Sequence, residues 1–192
     1  QEHEGRCHTV QGDITVDAEV ENFRTFAEAI VPAIDILVNN AGIDIEQANP
    51  GIEEVGIDLL EHVFAVNTLG TVRVCKALLP LVRKSALPTR GLIANTTSGL
   101  ASMSNPVMMT RYGYMMSKVS INMLSRGMAF EFAEDGPTVV AWSPGWVQTR
   151  LGTPAATYTL DEGGRGNVTT LKSITREQSG KVIDMSGEEW DF

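Results

Sequence analysis

The chain has 192 residues, room for one domain with a single sizeable core and too few for two independent ones. Its 43% hydrophobic and 20% charged residues describe a globular chain, and no uninterrupted apolar run approaches the roughly 18 residues of a membrane span. Lys and Arg number 15 against 24 Asp and Glu, a formal charge of −9 that repels a phosphate backbone and argues against nucleic acid as a partner. Cys7 and Cys75, the two cysteines, lack the spacing of a zinc or redox pair. With no signal peptide ahead of them they read as reduced thiols of a cytoplasmic protein.

Along the chain, short β-rich runs alternate with longer amphipathic stretches, the pattern of a parallel sheet covered by helices. Arg6 to Gln11 alternates and breaks at Gly12-Asp13, as a strand would. From Asp17 to Ile30, Val20, Phe23, Ala27 and Ile30 recur at helical spacing. Ile34 to Val38 is a continuous apolar run, expected to be a strand buried on both faces, closed by Asn39-Asn40-Ala41-Gly42. Residues 43 to 57 read as a loop, and Asp58 to Ser85 as one long helix bent by Pro80. Leu92 to Thr96 and Thr138 to Trp142 read as buried strands on either side of a second long helix, Tyr112 to Asp135. The glycines and proline of residues 145 to 166 suggest a mobile loop, and Lys181 to Met185 a last strand.

Tyr114 and Lys118 lie four apart on the second long helix, so both emerge on one face. A phenol exchanges protons poorly at neutral pH. An ammonium about 4 Å away contributes roughly 4 kcal/mol at an effective dielectric of 20, enough to hold the phenol about three pH units below its ordinary value. A tyrosine and a lysine sharing a solvated face is the plainer alternative. Ser98 follows the strand Leu92 to Thr96, where parallel sheets place ligands, although a hydroxyl before Gly99 also suits a turn. Asn67 sits inside the first long helix, either as a tolerated polar residue or for a purpose.

Taken in order, Asp13-Ile14, Asn39 to Gly42, Asn67, Ser98, Tyr114/Lys118 and Pro144-Gly145-Trp146-Val147-Gln148-Thr149 resemble the short-chain dehydrogenase/reductase family from about Gly12 to the end. The tail, with Glu177 to Lys181 and Gly187 to Trp190, resembles a subgroup of small carbonyl-reductase-like, C-factor-like members. The resemblance implies a Rossmann-like doubly wound α/β fold with helices on both faces. It also implies an NAD(P)-dependent oxidoreductase that interconverts a small-molecule carbonyl and an alcohol. Tyr114 would be the acid/base, Lys118 would lower its pKa and hold the nicotinamide ribose, Ser98 would fix the substrate oxygen, and Asn67 would hold a water. Asp13 and Ile14 would border the adenine, Asn39, Ala41 and Gly42 the adenosine ribose and nearby backbone, and Pro144, Gly145, Val147 and Thr149 the nicotinamide, with the cofactor either NADP or NAD.

Met103, Met108, Met109, Met115 and Met116 gather near this site in sequence. Together with Trp146 they could line an adaptable apolar pocket, with Met103, Met108 and Trp146 the first candidates; core filling is the alternative for most of them. His3, His8 and His62 lack metal-ligand spacing, so no metal site is expected. In the same family the two long helices commonly form a dimer interface, which makes a homodimer the expected partner.

The family's Gly-rich turn, which holds the diphosphate, and the strands around it have no counterpart in the sequence. Arg6 to Gln11 then aligns with the third strand of the order 3-2-1-4-5-6-7, and the chain is expected to be a fragment lacking the first β-α-β unit. That strand would sit about 14 Å from the fourth, so it either moves against Ile34 to Val38 or stays unpaired. Two other readings stand beside the oxidoreductase: a non-catalytic binding or regulatory protein of the same fold, and a nucleotide-sugar epimerase. The short region after Pro144-Gly145 leaves the epimerase little room for a substrate domain.

Overall fold

The computed structural model describes residues 7–45, 51–105 and 111–191. Helix α1 (Asp17–Ile30) leads to strand β1 (Ile36–Asn39). Helices α2 (Ile57–Phe64) and α3 (Thr71–Val82) follow, joined without a break by a π-helical turn at Ala65–Gly70. Strand β2 (Leu92–Thr96), helix α4 (Tyr112–Glu131), strand β3 (Thr138–Ser143), helix α5 (Leu160–Ser173) and strands β4 (Val182–Asp184) and β5 (Glu189–Trp190) complete the order. The sheet runs β1-β2-β3-β4-β5, parallel through β4, with β5 returning antiparallel to it.

Alternation along β2 explains the two layers. Ile93 points with Leu37 and Val139 into a core closed by Cys75, Leu78 and Leu81 of α3 and by Ala129 and Phe132 at the end of α4. Leu92 and Ala94 point the other way, with Val140, Trp142 and Ile183, onto Leu171 and Ile174 at the end of α5. A strand covered on both faces must be apolar at consecutive positions, which is why β2 and β3 read as unbroken runs. At roughly 1.5–3 kcal/mol for each fully buried Val, Leu or Ile, these two layers supply the main drive for folding.

Four expectations need correction. Residues 7–11 of the anticipated first strand form no strand and lie exposed, so they do not pair with β1. Strand β1 is an edge strand among the described residues, and Val38, expected to be buried, is 40% exposed. The long helix is interrupted by the π-helical turn that contains Asn67. Spanning Ile57–Val82, it is long and apolar enough by length and composition to cross a bilayer, yet Cys75, Leu78, Leu81 and Val82 place it against the sheet.

The fourth correction is α5, which occupies part of the stretch read as a mobile loop. Thr159 and Glu162 form a reciprocal capping box: Glu162 N–H donates to Thr159 Oγ1 at 3.3 Å, and Thr159 N–H donates to Glu162 Oε2 at 2.9 Å. Gly163 and Gly166, two of the glycines that suggested a loop, are packing residues. A Cβ on Gly163 would lie 2.6 Å from Val147 Cγ2, and one on Gly166 would lie 3.0 Å from Met185 Cγ.

Candidate active site

The parallel strands deliver Gly42, Ser98 and Pro144-Gly145 to one end of the sheet, while α4 brings Tyr114 and Lys118 across that end. Between them opens a cleft of about 910 Å³, lined by Asn40, Gly42, Thr96 to Leu100, Tyr114, Lys118, Pro144 to Val147 and Thr149, among others.

Ser98, in extended backbone after β2, accepts a hydrogen bond from Leu100 N–H at 3.2 Å and is hydrogen-bonded to the Tyr114 hydroxyl. Both Tyr114 and Lys118 are buried. Lys118 Nζ donates to Thr96 O at 2.7 Å and stands 5.6 Å from the centroid of the Tyr114 ring. Burial lowers the lysine's pKa from 10.5 to about 8.

The phenol moves opposite to the sequence expectation. Burial raises the pKa of Tyr114, the Ser98 hydrogen bond opposes the rise, Asp44 adds to it and Arg111 opposes it. The Lys118 ammonium, turned to the Thr96 carbonyl, is not among the causes. The cation that lowers the phenol's pKa is Arg111 rather than Lys118, and burial outweighs it.

Asn67 is wholly buried. Its Oδ1 accepts from Ile43 N–H at 2.8 Å, and its Nδ2 donates to Ile43 O at 2.9 Å and to Ser117 Oγ at 3.0 Å. The side chain expected to hold a water therefore clamps the residue after Gly42. The clamp packs closely on Gly42, where a Cβ would stand 3.2 Å from Asn67 Oδ1 and 3.5 Å from Lys118 Nζ.

Two buried acceptors near the cleft, Thr96 Oγ1 and Asn167 Oδ1, have no hydrogen-bond partner among the described residues. Asn167 Nδ2 donates to Pro144 O at 3.0 Å, fixing the turn that leads to Gly145 at φ 78°. Gly145 needs that left-handed conformation, and Tyr158 packs where a Cβ would stand. Val147 and Tyr158 form a bridge, and Thr149 Oγ1 accepts from Gly152 N–H at 3.0 Å.

Ile14, Asn39, Asn40 and Ala41 line a second cavity of about 170 Å³, which shares Asn40 with the first. Asp13 does not line it: its carboxylate accepts from Thr15 N–H and Oγ1, each at 2.8 Å. Asn39 borders this cavity while its Nδ2 is turned inward to Asn95 Oδ1 at 2.7 Å and Cys75 Sγ at 3.1 Å.

Residues 1–159 match the family model described as short chain dehydrogenase. The chain is 34% identical over 167 residues to C-signal of Myxococcus xanthus, covering 86% of this chain and 98% of that protein. It belongs to the short-chain dehydrogenase family. An uncharacterized oxidoreductase of Bacillus subtilis, YxbG, is 32% identical over 147 residues, 77% of this chain and 50% of its own length. Among solved structures, the Drosophila melanogaster carbonyl reductase Sniffer shares the fold with a TM-score of 0.90 at 23% identity, over 96% of this chain and 78% of its own. A Burkholderia multivorans short-chain dehydrogenase/reductase with bound NADP superposes with a TM-score of 0.83 at 28% identity, over 100% of this chain and 80% of its own.

As a short-chain dehydrogenase, the chain lines its cleft differently from the methionine pocket expected. Trp146 lines it, but Met103 is 73% exposed and outside it, Met115 is buried, Met116 faces outward, and Met108 and Met109 lie outside the described residues. Leu100, Leu151, Leu160 and Trp190 provide apolar lining instead. Sequence reasoning also missed Asp44 and Arg111, which line the cleft as an ion pair. Arg111, directly ahead of α4 and three residues before Tyr114, was the available signal.

Proposed function

We propose that the protein interconverts a small-molecule carbonyl and its alcohol, with NADP or NAD carrying the hydride and Tyr114 the proton. The observation that carries this reading is the Tyr114 hydroxyl, buried and bonded to Ser98 at the ends of the parallel strands, with Lys118 in the same cleft. Gly42, Lys118, Pro144, Gly145, Val147 and Thr149 supply walls for a nicotinamide riboside, and the buried acceptors of Thr96 and Asn167 suit its donors. Ile14, Asn39 and Ala41 bound the adenosine end. When bound, the dinucleotide donates or accepts hydride at the substrate carbon. The relative from Burkholderia multivorans, solved with bound NADP, favours the phosphorylated form.

In reduction, Ser98 orients the carbonyl oxygen and Tyr114 gives it a proton. In oxidation the phenolate takes that proton back. A pKa raised by burial keeps the phenol protonated at neutral pH, the form reduction requires. Lys118, brought to about 8, can exchange a proton near neutrality beside it. Asn67 holds Ile43, and with it the turn that faces Lys118.

A non-catalytic reading draws on one observation: a relative spanned almost completely is named C-signal. Titration with NADPH and NADH, followed by a panel of aldehydes and ketones, tests the choice. Nucleotide-dependent carbonyl consumption supports the enzyme, and absence of nucleotide binding refutes it. Met116, Met123 and Phe130, exposed at intervals of seven along α4, support a homodimer through that face.

A further inference from the structure

We propose that Asp44 and Arg111 are positioning residues for the reaction at Tyr114, their ion pair tying the chain that leaves β1 to the start of α4 so that the phenol is held against Ser98. The inference deepens the proposed function and rests on Tyr114 as its proton carrier.

The geometry is a continuous mechanical chain. Asn67 grips both backbone polar groups of Ile43, so the neighbouring Asp44 leaves a fixed point. The Asp44 carboxylate, 6% exposed, receives Arg111 Nη1. Arg111 directly precedes α4, and its carbonyl accepts from Met115 N–H at 2.8 Å, so the backbone that carries the guanidinium is anchored to the helix's first turn. Tyr114 stands three residues on, one turn along the same face. Asp44, Arg111, Tyr114 and Ser98 all line the one cleft.

An ion pair with one partner buried and the other partly exposed is a weak source of net stability, because desolvation and solvent screening offset much of its attraction. Its value here lies in placement and in field. The two charges act on the phenol in opposite senses, Asp44 opposing its ionisation and Arg111 favouring it. Other charged groups at the site are Lys118 on the same helix and Arg150 on the chain after β3; Ser98 faces the hydroxyl from the chain after β2. Removing either partner therefore leaves one uncompensated sign next to Tyr114.

The test is a spectroscopic titration of the Tyr114 phenolate in the full chain, taken as the difference from Y114F to remove Tyr112 and Tyr158, with D44N, R111Q and R111K. The proposal expects D44N to ionise at lower pH than the parent, R111Q at higher pH, and R111K near the parent. It also expects R111Q to lose roughly 10- to 100-fold in kcat for carbonyl reduction with the KM for nucleotide retained, the scale of a displaced reacting group. Shifts of one sign in both neutralised variants, or no shift with only a lower melting temperature, would overturn it. If D44N does not fold, the upward shift in R111Q and its rescue in R111K decide alone. A parent protein that consumes no carbonyl refutes the proposed reaction, while opposite titration shifts still support the pair, so the two claims fail separately.

Discussion

Replacing Lys118 with methionine should remove a pH dependence of folding stability that the parent protein carries above pH 8. The ammonium is buried, and burial brings its pKa from 10.5 down to about 8. Between these values the unfolded chain binds the proton and the folded chain does not, so parent stability rises with pH across that window. Below pH 8 both states are protonated and the desolvation cost is present in full. A displacement of this size corresponds to about 3 kcal/mol, some of it returned by the Thr96 carbonyl that accepts from Nζ. Burial of Tyr114 acts in the other direction, since its raised pKa removes stability as pH climbs beyond the ordinary tyrosine range. Because K118M keeps Tyr114, subtracting the two proteins largely isolates the lysine. Urea unfolding at pH 7, 8, 9 and 10 should show the parent gaining on K118M, with most of the gain above pH 8. A difference that is flat with pH would refute the burial argument.

Three further outcomes follow from the packing. Gly163→Ala should destabilise the protein by about 1–3 kcal/mol because its Cβ meets Val147, whereas Gly164→Ala, where a Cβ meets nothing, should gain up to about 1 kcal/mol; thermal melts check both. Asn67→Ala should cost about 1–3 kcal/mol by leaving buried partners unpaired, and should speed hydrogen exchange at the Ile43 amide. The proposed homodimer through the exposed stripe of α4 predicts a dimer in sedimentation that Phe130→Asp converts to a monomer, with the melting temperature little changed.

Much of the fold was legible because its signals are local. Asp17–Ile30 and Leu92–Thr96 were bounded correctly by helical spacing and by an apolar run buried on two faces. The α5 helix was not legible, because Gly163 and Gly166 answer to the distant side chains of Val147 and Met185 rather than to helix propensity. The same limit applies at β1, where Val38 is as apolar as its neighbours but is left 40% exposed on an edge strand.

At the site, Ser98, Tyr114 and Lys118, singled out by their order in the sequence, line one cleft, while Asn67 lies behind it, bonded to Ile43 and Ser117. Their bonding was not legible. Spacing on a helix sets which residues share a face, but the Thr96 carbonyl that captures Lys118 belongs to a strand 22 residues earlier. The Asp44–Arg111 pair was hidden for the same reason, its partners standing 67 residues apart.

The central claim is that the buried phenol beside Ser98 carries the proton in a nicotinamide-dependent reaction. Its most direct test compares the parent with Y114F at neutral pH, following nicotinamide oxidation by an aldehyde and, in parallel, the affinity for NADPH. The account predicts turnover in the parent, a loss of roughly 10²- to 10⁴-fold in Y114F, and unchanged nucleotide affinity. Turnover in Y114F within tenfold of the parent would contradict it.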